Sequence, residues 1–177
     1  RVLLGGIRAF WETDDGKLYQ IIVLHHGQLH GLGAFHVDGE PVTVLEAIET
    51  SDVLVLGPGS WFTSVMPHLL VPQIVEAIMD SDALKILTLN VAGADETNGF
   101  SPARHLEVLA EHEPRIRFDV VLADRSFARS DPHLGTFARN LGARIVEADL
   151  AMHDGSARHD PLRLASAYAE VMGVRIR

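Results

Sequence analysis

The chain contains no cysteine, and that absence removes disulfide frameworks, thiolate zinc sites and cysteine nucleophiles together. Whatever chemistry it supports must come from carboxylates, imidazoles, hydroxyls or a bound cation. Lysine is almost as scarce, occurring only at Lys17 and Lys85. With a formal net charge of −9, the chain lacks the clustered cations that neutralise a phosphate backbone, so nucleic acid is not expected as a partner. A small anion remains compatible, because local main-chain amides and one or two arginines outweigh a diffuse field over a Debye length of about 8 Å. No apolar run approaches the ~20 residues that cross a bilayer. No basic segment followed by a short apolar core marks secretion. The expectation is a cytoplasmic protein without a membrane span.

Apolar residues make up 47% of 177 positions, enough to bury a sizeable core in one domain covering 1–177. From Asp52 onward, short apolar strands alternate with amphipathic helices, the pattern of an α/β fold with a parallel sheet covered by helices. Strands are predicted at 53–56, 85–90, 118–123 and 143–147, and their continuous apolar character predicts burial on both faces. Ser101-Pro102, Asp131-Pro132 and Asp160-Pro161 each place a capping side chain before a proline at a helix start. Three apolar stripes identify core-facing helical residues: Ile74, Val75, Ile78 and Met79; Leu134, Phe137, Ala138 and Leu141; Leu164, Ala165, Tyr168 and Met172. Residues 1–44 read differently. Extended segments at 7–13 and 17–24 flank Asp14-Asp15-Gly16, a hairpin signal, and another at 32–37 ends at Asp38-Gly39. This part predicts an antiparallel β appendage or sheet edge, followed by a short helix over 41–51.

The most informative segment is Val53-Leu-Val-Leu-Gly-Pro-Gly-Ser-Trp-Phe-Thr-Ser64, an uncharged strand running into a glycine turn and three hydroxyls. Glycines let main chain approach an anion, and successive N–H groups form a concavity. Gly57, Pro58, Gly59, Ser60, Thr63 and Ser64 are therefore candidate phosphate-binding residues, although a tight β-to-α turn also needs glycine. Ligands of open α/β sheets sit beyond the carboxyl ends of strands, which brings in Asn90 and Thr97 of the 90–101 loop as candidate sugar or ribose contacts, with a solvated surface loop as the alternative. Asp124 and Arg125 could bind a cation or an anionic tail, or Asp124 could cap the next turn. Trp61 and Phe62 could stack on a ring or pack beneath the turn. His25, His26, His30 and His36 fit a closed metal site poorly. His153-Asp154 and His159-Asp160 read as loop and cap residues, and no catalytic residue or metal ligand is assigned.

The run from Asp52 through Leu-Gly-Pro-Gly-Ser-Trp-Phe-Thr-Ser to Pro72, followed by Glu96-Thr-Asn-Gly-Phe-Ser101 and a helix containing His105, closely resembles the YvcK-like gluconeogenesis factors of the CofD superfamily. The resemblance covers about two-thirds of the chain, from roughly Leu45 onward. It implies a Rossmann-like protein that binds a nucleotide sugar such as UDP-N-acetylglucosamine, or another nucleotide diphosphate. It also implies a homodimer, and a regulatory role in cell-wall synthesis and cell shape on gluconeogenic carbon sources. The CofD branch of the superfamily implies the alternative, a magnesium-dependent phospholactyl-type transferase with Asp124 or Asp95 holding the cation. A third reading is a non-binding dimeric scaffold that uses the N-terminal hairpin with Phe10 and Trp11. The family's Gly-Gly-Gly-Thr-Gly opening loop is represented only by Val2-Leu-Leu-Gly-Gly6.

Overall fold

The computed structural model describes residues 8–12, 18–24, 35–37, 40–42, 44–93 and 95–173. The chain forms two compact units, Arg1–Lys85 and Ile86–Arg177. In the first, β1 (Arg8–Glu12) runs antiparallel to β2 (Leu18–Leu24), with Arg8 opposite Ile22 and Glu12 opposite Leu18. Strands β3 (Phe35–Val37) and β4 (Glu40–Val42) make a separate antiparallel ribbon. After α1 (Val44–Glu49), β5 (Val53–Leu56) lies parallel to β2, from Ile21 opposite Val53 to Leu24 opposite Leu56. The predicted hairpin thus has a double role: β1 is its antiparallel edge, while β2 belongs to the parallel sheet. Its turn at Asp14-Asp15-Gly16 lies outside the described residues, as do Asp38-Gly39, Val2 to Gly6, His25, His26 and His30. The helix expected over 41–51 is shorter than that, because residues 40–42 pair in β4.

Beyond β5 the chain turns through Gly57–Gly59, with a cis Gly57–Pro58 bond, into one π-helical turn at Trp61–Val65. It continues into α2 (Met66–Leu69) and α3 (Pro72–Asp80). All four β5 residues are buried, as are Ile48, Trp61, Ile74 and Ile78. Each such side chain contributes roughly 1.5–3 kcal/mol of transfer free energy, which makes this cluster the anchor of the first unit. The predicted α3 stripe faces that core, with Ile74, Val75 and Ile78 buried and Met79 half-buried.

The second unit carries the rest of the α/β pattern. Its elements are β6 (Leu84–Thr88), which begins at the unit boundary, α4 (Pro102–His112), β7 (Val120–Asp124), α5 (Arg125–Arg129), α6 (Leu134–Asn140), β8 (Arg144–Ala148) and α7 (Pro161–Val171). Strands β6, β7 and β8 are parallel neighbours in that order. Central β7 is buried at every position, as a strand covered on both faces must be. The prediction fails for β8, whose residues are exposed or half-buried. It ends the strand order, so cover on its far side is incomplete.

Two of the three predicted helix caps form as read. Ser101 Oγ accepts the Arg104 N–H at 3.3 Å, and Asp160 Oδ1 accepts the N–H groups of Leu162 and Arg163 at 2.9 and 3.2 Å. Asp131 does otherwise: α6 starts only at Leu134, and the Asp131 carboxylate takes the His133 N–H at 2.8 Å while also bonding the Ser101 hydroxyl and the Ala103 amide. It braces the start of α4, a partner some thirty positions earlier in sequence. The apolar stripes of α6 and α7 also differ in depth. Leu134, Ala138 and Leu141 are buried, whereas Leu164, Ala165, Tyr168 and Met172 are only half-buried and the deepest α7 residues are Ala167 and Ala169.

Candidate functional site

The turn after β5 is built around Ser60. Its carbonyl accepts the N–H groups of Ser64 and Val65 at 2.8 and 3.1 Å, and its Oγ accepts that of Thr63 at 3.3 Å. The Ser60 and Thr63 hydroxyls also bond each other. Three amides of the segment, those of Thr63, Ser64 and Val65, are therefore satisfied within the turn. Gly59, at φ +158°, is tight against its neighbour: a Cβ there would stand 3.0 Å from Ser64 Cβ. Ser64 is buried and props the turn from beneath. Pro58, Gly59 and Ser60 are half-buried and Thr63 is exposed, so one face of the turn is reachable. The π-helical turn separates the two aromatics, with Trp61 1% exposed in the core and Phe62 41% exposed beside Thr63.

In the second unit, the loop after β6 folds back on itself. The Phe100 N–H bonds the Thr97 carbonyl at 2.9 Å, and a Cβ at Gly93 would lie 2.8 Å from Thr97 O and 2.9 Å from Phe100 O. Thr97 is buried inside this fold-back and Asn90 is half-buried at its start. His105, one turn into α4, is fully buried. Its Nδ1 lies 2.8 Å from Ser101 O and its ring stands edge-on to Phe100 and Phe127, at 5.5 and 5.9 Å. Burial holds its pKa below the ordinary imidazole value, against the opposing pull of the Ser101 carbonyl.

The carboxyl ends of β7 and β8 are tied together by one carboxylate. Asp124 Oδ1 accepts the Ser126 N–H at 2.9 Å, the Ser126 hydroxyl at 2.5 Å and the Phe127 N–H at 3.4 Å. Its Oδ2 accepts the N–H groups of Leu150 and Ala151 at 2.9 and 3.2 Å. Burial raises the Asp124 pKa, yet the Ser126 hydroxyl and the amides of Leu150, Ser126 and Phe127 outweigh it and hold the group below the usual carboxylate range. The capping alternative for Asp124 is thus the one observed. The loop beyond β8 is closed by an Ala151–His159 bridge, by Met152 N–H to Arg158 O at 2.8 Å and by Asp160 N–H to Leu150 O at 2.7 Å. His159 Nε2 reaches Leu89 O at 3.1 Å, and burial lowers its pKa despite that carbonyl and the nearby Asp124 charge. Asp149, His153 and Arg163 form a cluster, with Arg163 Nη1 2.5 Å from Asp149 Oδ2 and Nη2 3.1 Å from His153 Nδ1.

The family model described as 2-phospho-L-lactate transferase CofD matches residues 33–160, which take in the β5 turn, the fold-back loop and the Asp124 rim. The chain belongs to the CofD family. Within that family it is 42% identical over 136 residues to the Mycobacterium leprae protein named "Putative gluconeogenesis factor", covering 75% of this chain and 37% of that protein. It is 30% identical over 172 residues to the gluconeogenesis factor of Listeria monocytogenes, covering 88% and 53%. A crystal structure of a UPF0052 family member from Bacillus halodurans superposes with a TM-score of 0.59 at 26% identity, over 92% of this chain and 58% of that one. The chain therefore spans between about a third and three-fifths of the length of these CofD-family relatives.

The CofD-family match and the Rossmann-like α/β architecture agree with the resemblance read from residues 52–72 and 96–101. Sequence reasoning placed Asp124 and Arg125 at a strand end but missed Ser126, Arg129 and Arg163. Their only signal was proximity to strand or helix ends: Ser126 and Arg129 lie in the short α5 that follows β7, and Arg163 lies in the first turn of α7. His36 lies on β3 and Asp95 in a 3-10 turn, Asp95–Thr97. No single helix among the described residues is long and apolar enough to cross a membrane.

Proposed function

We propose that the chain is part of a gluconeogenesis-factor-type regulatory protein that holds the diphosphate of a nucleotide sugar at the turn after β5. The observation that carries this reading is the turn itself. A fully buried strand and buried Gly57 deliver Pro58, Gly59 and Ser60 to an accessible face, Gly59 sits close against Ser64 at a positive φ, and the Ser60 and Thr63 hydroxyls meet there. Hydroxyls and glycine main chain suit an anionic group in a protein whose overall charge is negative. The family resemblance extends the reading to UDP-N-acetylglucosamine as ligand, a homodimer in the cytoplasm, and support of cell-wall synthesis and cell shape; the relatives' name supports only a role on gluconeogenic carbon.

Of the two residues nominated to hold a magnesium ion for phospholactyl transfer, Asp124 or Asp95, Asp124 already gives both oxygens to N–H and O–H donors, which supports the regulatory reading at that residue. Isothermal titration of the full-length protein with UDP-N-acetylglucosamine tests the reading. Thr63→Val removes one exposed hydroxyl at constant shape and is expected to weaken binding about 10–150-fold, the worth of one hydrogen bond to a charged group, about 1.5–3 kcal/mol. An absence of heat at millimolar ligand would sink the nucleotide-sugar assignment.

A further inference from the structure

The carboxyl ends of β7 and β8 border a cleft of about 400 Å³, lined by Asp124 at the end of β7, by Arg125, Ser126 and Arg129 of α5, and by Asp149, Ala151 and His153 of the segment after β8. Its carboxylates are accounted for. Asp124 is spent on main-chain amides and Ser126, Asp149 is met by Arg163, and Glu147 beside the cleft is met by Arg129 Nε at 3.0 Å. Arg125 is different. It is exposed, lines the cleft, and has no carboxylate partner among the described residues. Burial of the Asp124 carboxylate beneath its own amides leaves the neighbouring guanidinium as the charge presented to the cleft.

Two further properties say what would occupy it. Open α/β sheets hold their ligands at this end of the strands. A guanidinium fork matches two oxygens of a tetrahedral phosphate, which a point charge does not. The part of the lining that follows β8 is fixed in advance, because Arg163 holds Asp149 and His153 together. Asp149 retains acceptor capacity for hydroxyl donors, since a carboxylate offers about four lone-pair sites. A volume of this size exceeds what phosphate alone needs and suits a small organic ester.

We propose that this cleft binds a small phosphate monoester, with Arg125 gripping the phosphate and the hydroxyl-bearing part directed toward Asp149 and His153. The proposal does not rest on the reading of the β5 turn. The test is a two-dimensional ¹H–¹⁵N titration of the full-length protein with glycerol 3-phosphate, including the arginine Nε–Hε region. Saturable shifts are expected at Arg125 Nε and at the amides of Ser126, Ala151 and His153. Arg125→Ala should weaken the interaction about tenfold or more, and Arg144→Ala, an equal charge change at the other end of β8, should leave it within about twofold. No saturable shift at these residues up to about 20 mM would overturn the proposal. So would equal weakening by the two variants, which would mean diffuse attraction rather than a site. Binding of UDP-N-acetylglucosamine, followed in parallel, reports separately on the β5 turn.

Discussion

Replacing Asp124 by asparagine removes a charge and one acceptor while leaving the shape of the side chain intact. The parent carboxylate receives five donors, three on Oδ1 and two on Oδ2. If the new NH₂ group faces α5, the Ser126 and Phe127 amides lose their acceptor. If it faces the other way, those of Leu150 and Ala151 lose theirs. In either orientation two main-chain N–H groups meet a donor, and each buried unsatisfied group costs about 1–3 kcal/mol. Allowing for local relaxation, the expected loss is about 3 kcal/mol, equivalent to roughly 6–12 °C in Tm for a chain of this length. Urea denaturation of parent and variant at pH 7 measures it, and hydrogen exchange at Leu150 and Ala151 localises it. The pH dependence adds a second check. The folded pKa of Asp124 lies below its ordinary value of 3.8, so its contribution is complete above that value and is lost as pH falls through the folded pKa. The gap between parent and variant should therefore close in acid. A variant within about 0.5 kcal/mol of the parent at pH 7, or a gap that persists unchanged below about pH 2, would refute the reasoning.

The remaining expectations concern neighbouring features. Gly93→Ala would drive a methyl group into the carbonyls of Thr97 and Phe100, at 2.8 and 2.9 Å, and should destabilise by about 1–3 kcal/mol in thermal unfolding; a neutral result would mean the fold-back is loose. Burial depresses the pKa of His105 and of His159 below the ordinary 6.5, so the unfolded chain takes up protons that the folded one resists. Stability should be full above about pH 7 and fall toward pH 5, with a shallower slope in His159→Gln; a flat profile across that window contradicts the assignment. The Thr63→Val and Arg125→Ala titrations complete the set.

What could be read from sequence was whatever depends on neighbours along the chain. The bounds of β5 follow from four consecutive apolar residues before Gly57, and the caps at Ser101 and Asp160 follow from bonds to amides two or three positions on. Asp131 carries the same Asp-Pro signal and behaves otherwise, because Ser101 and Ala103 compete for its carboxylate and lie too far off in sequence to be foreseen. Likewise Asp124 was legible as a strand-end acid, but its two decisive donors, Leu150 and Ala151, are 26 and 27 positions away. The Trp61-Phe62 pair was recognised with two fates open to both residues. Trp61 packs beneath the turn and Phe62 stands at the surface because a single π-helical turn rotates consecutive side chains to opposite sides. The edge character of β8 could not be read from an apolar run, since nothing local records which strand comes last.

Asp124 grips the segment after β8 through the peptide N–H groups of positions 150 and 151, and every residue except proline supplies one of those. The identity of the residue at position 151, and of those that follow, is thereby uncoupled from where the backbone runs. Homologues could trade Ala151 or His153 for other side chains and alter what that wall recognises without rebuilding its support. For protein engineers the same uncoupling marks positions 151 to 158 as a stretch to randomise in a library, with Asp124 kept constant as the fixture on which each new variant hangs.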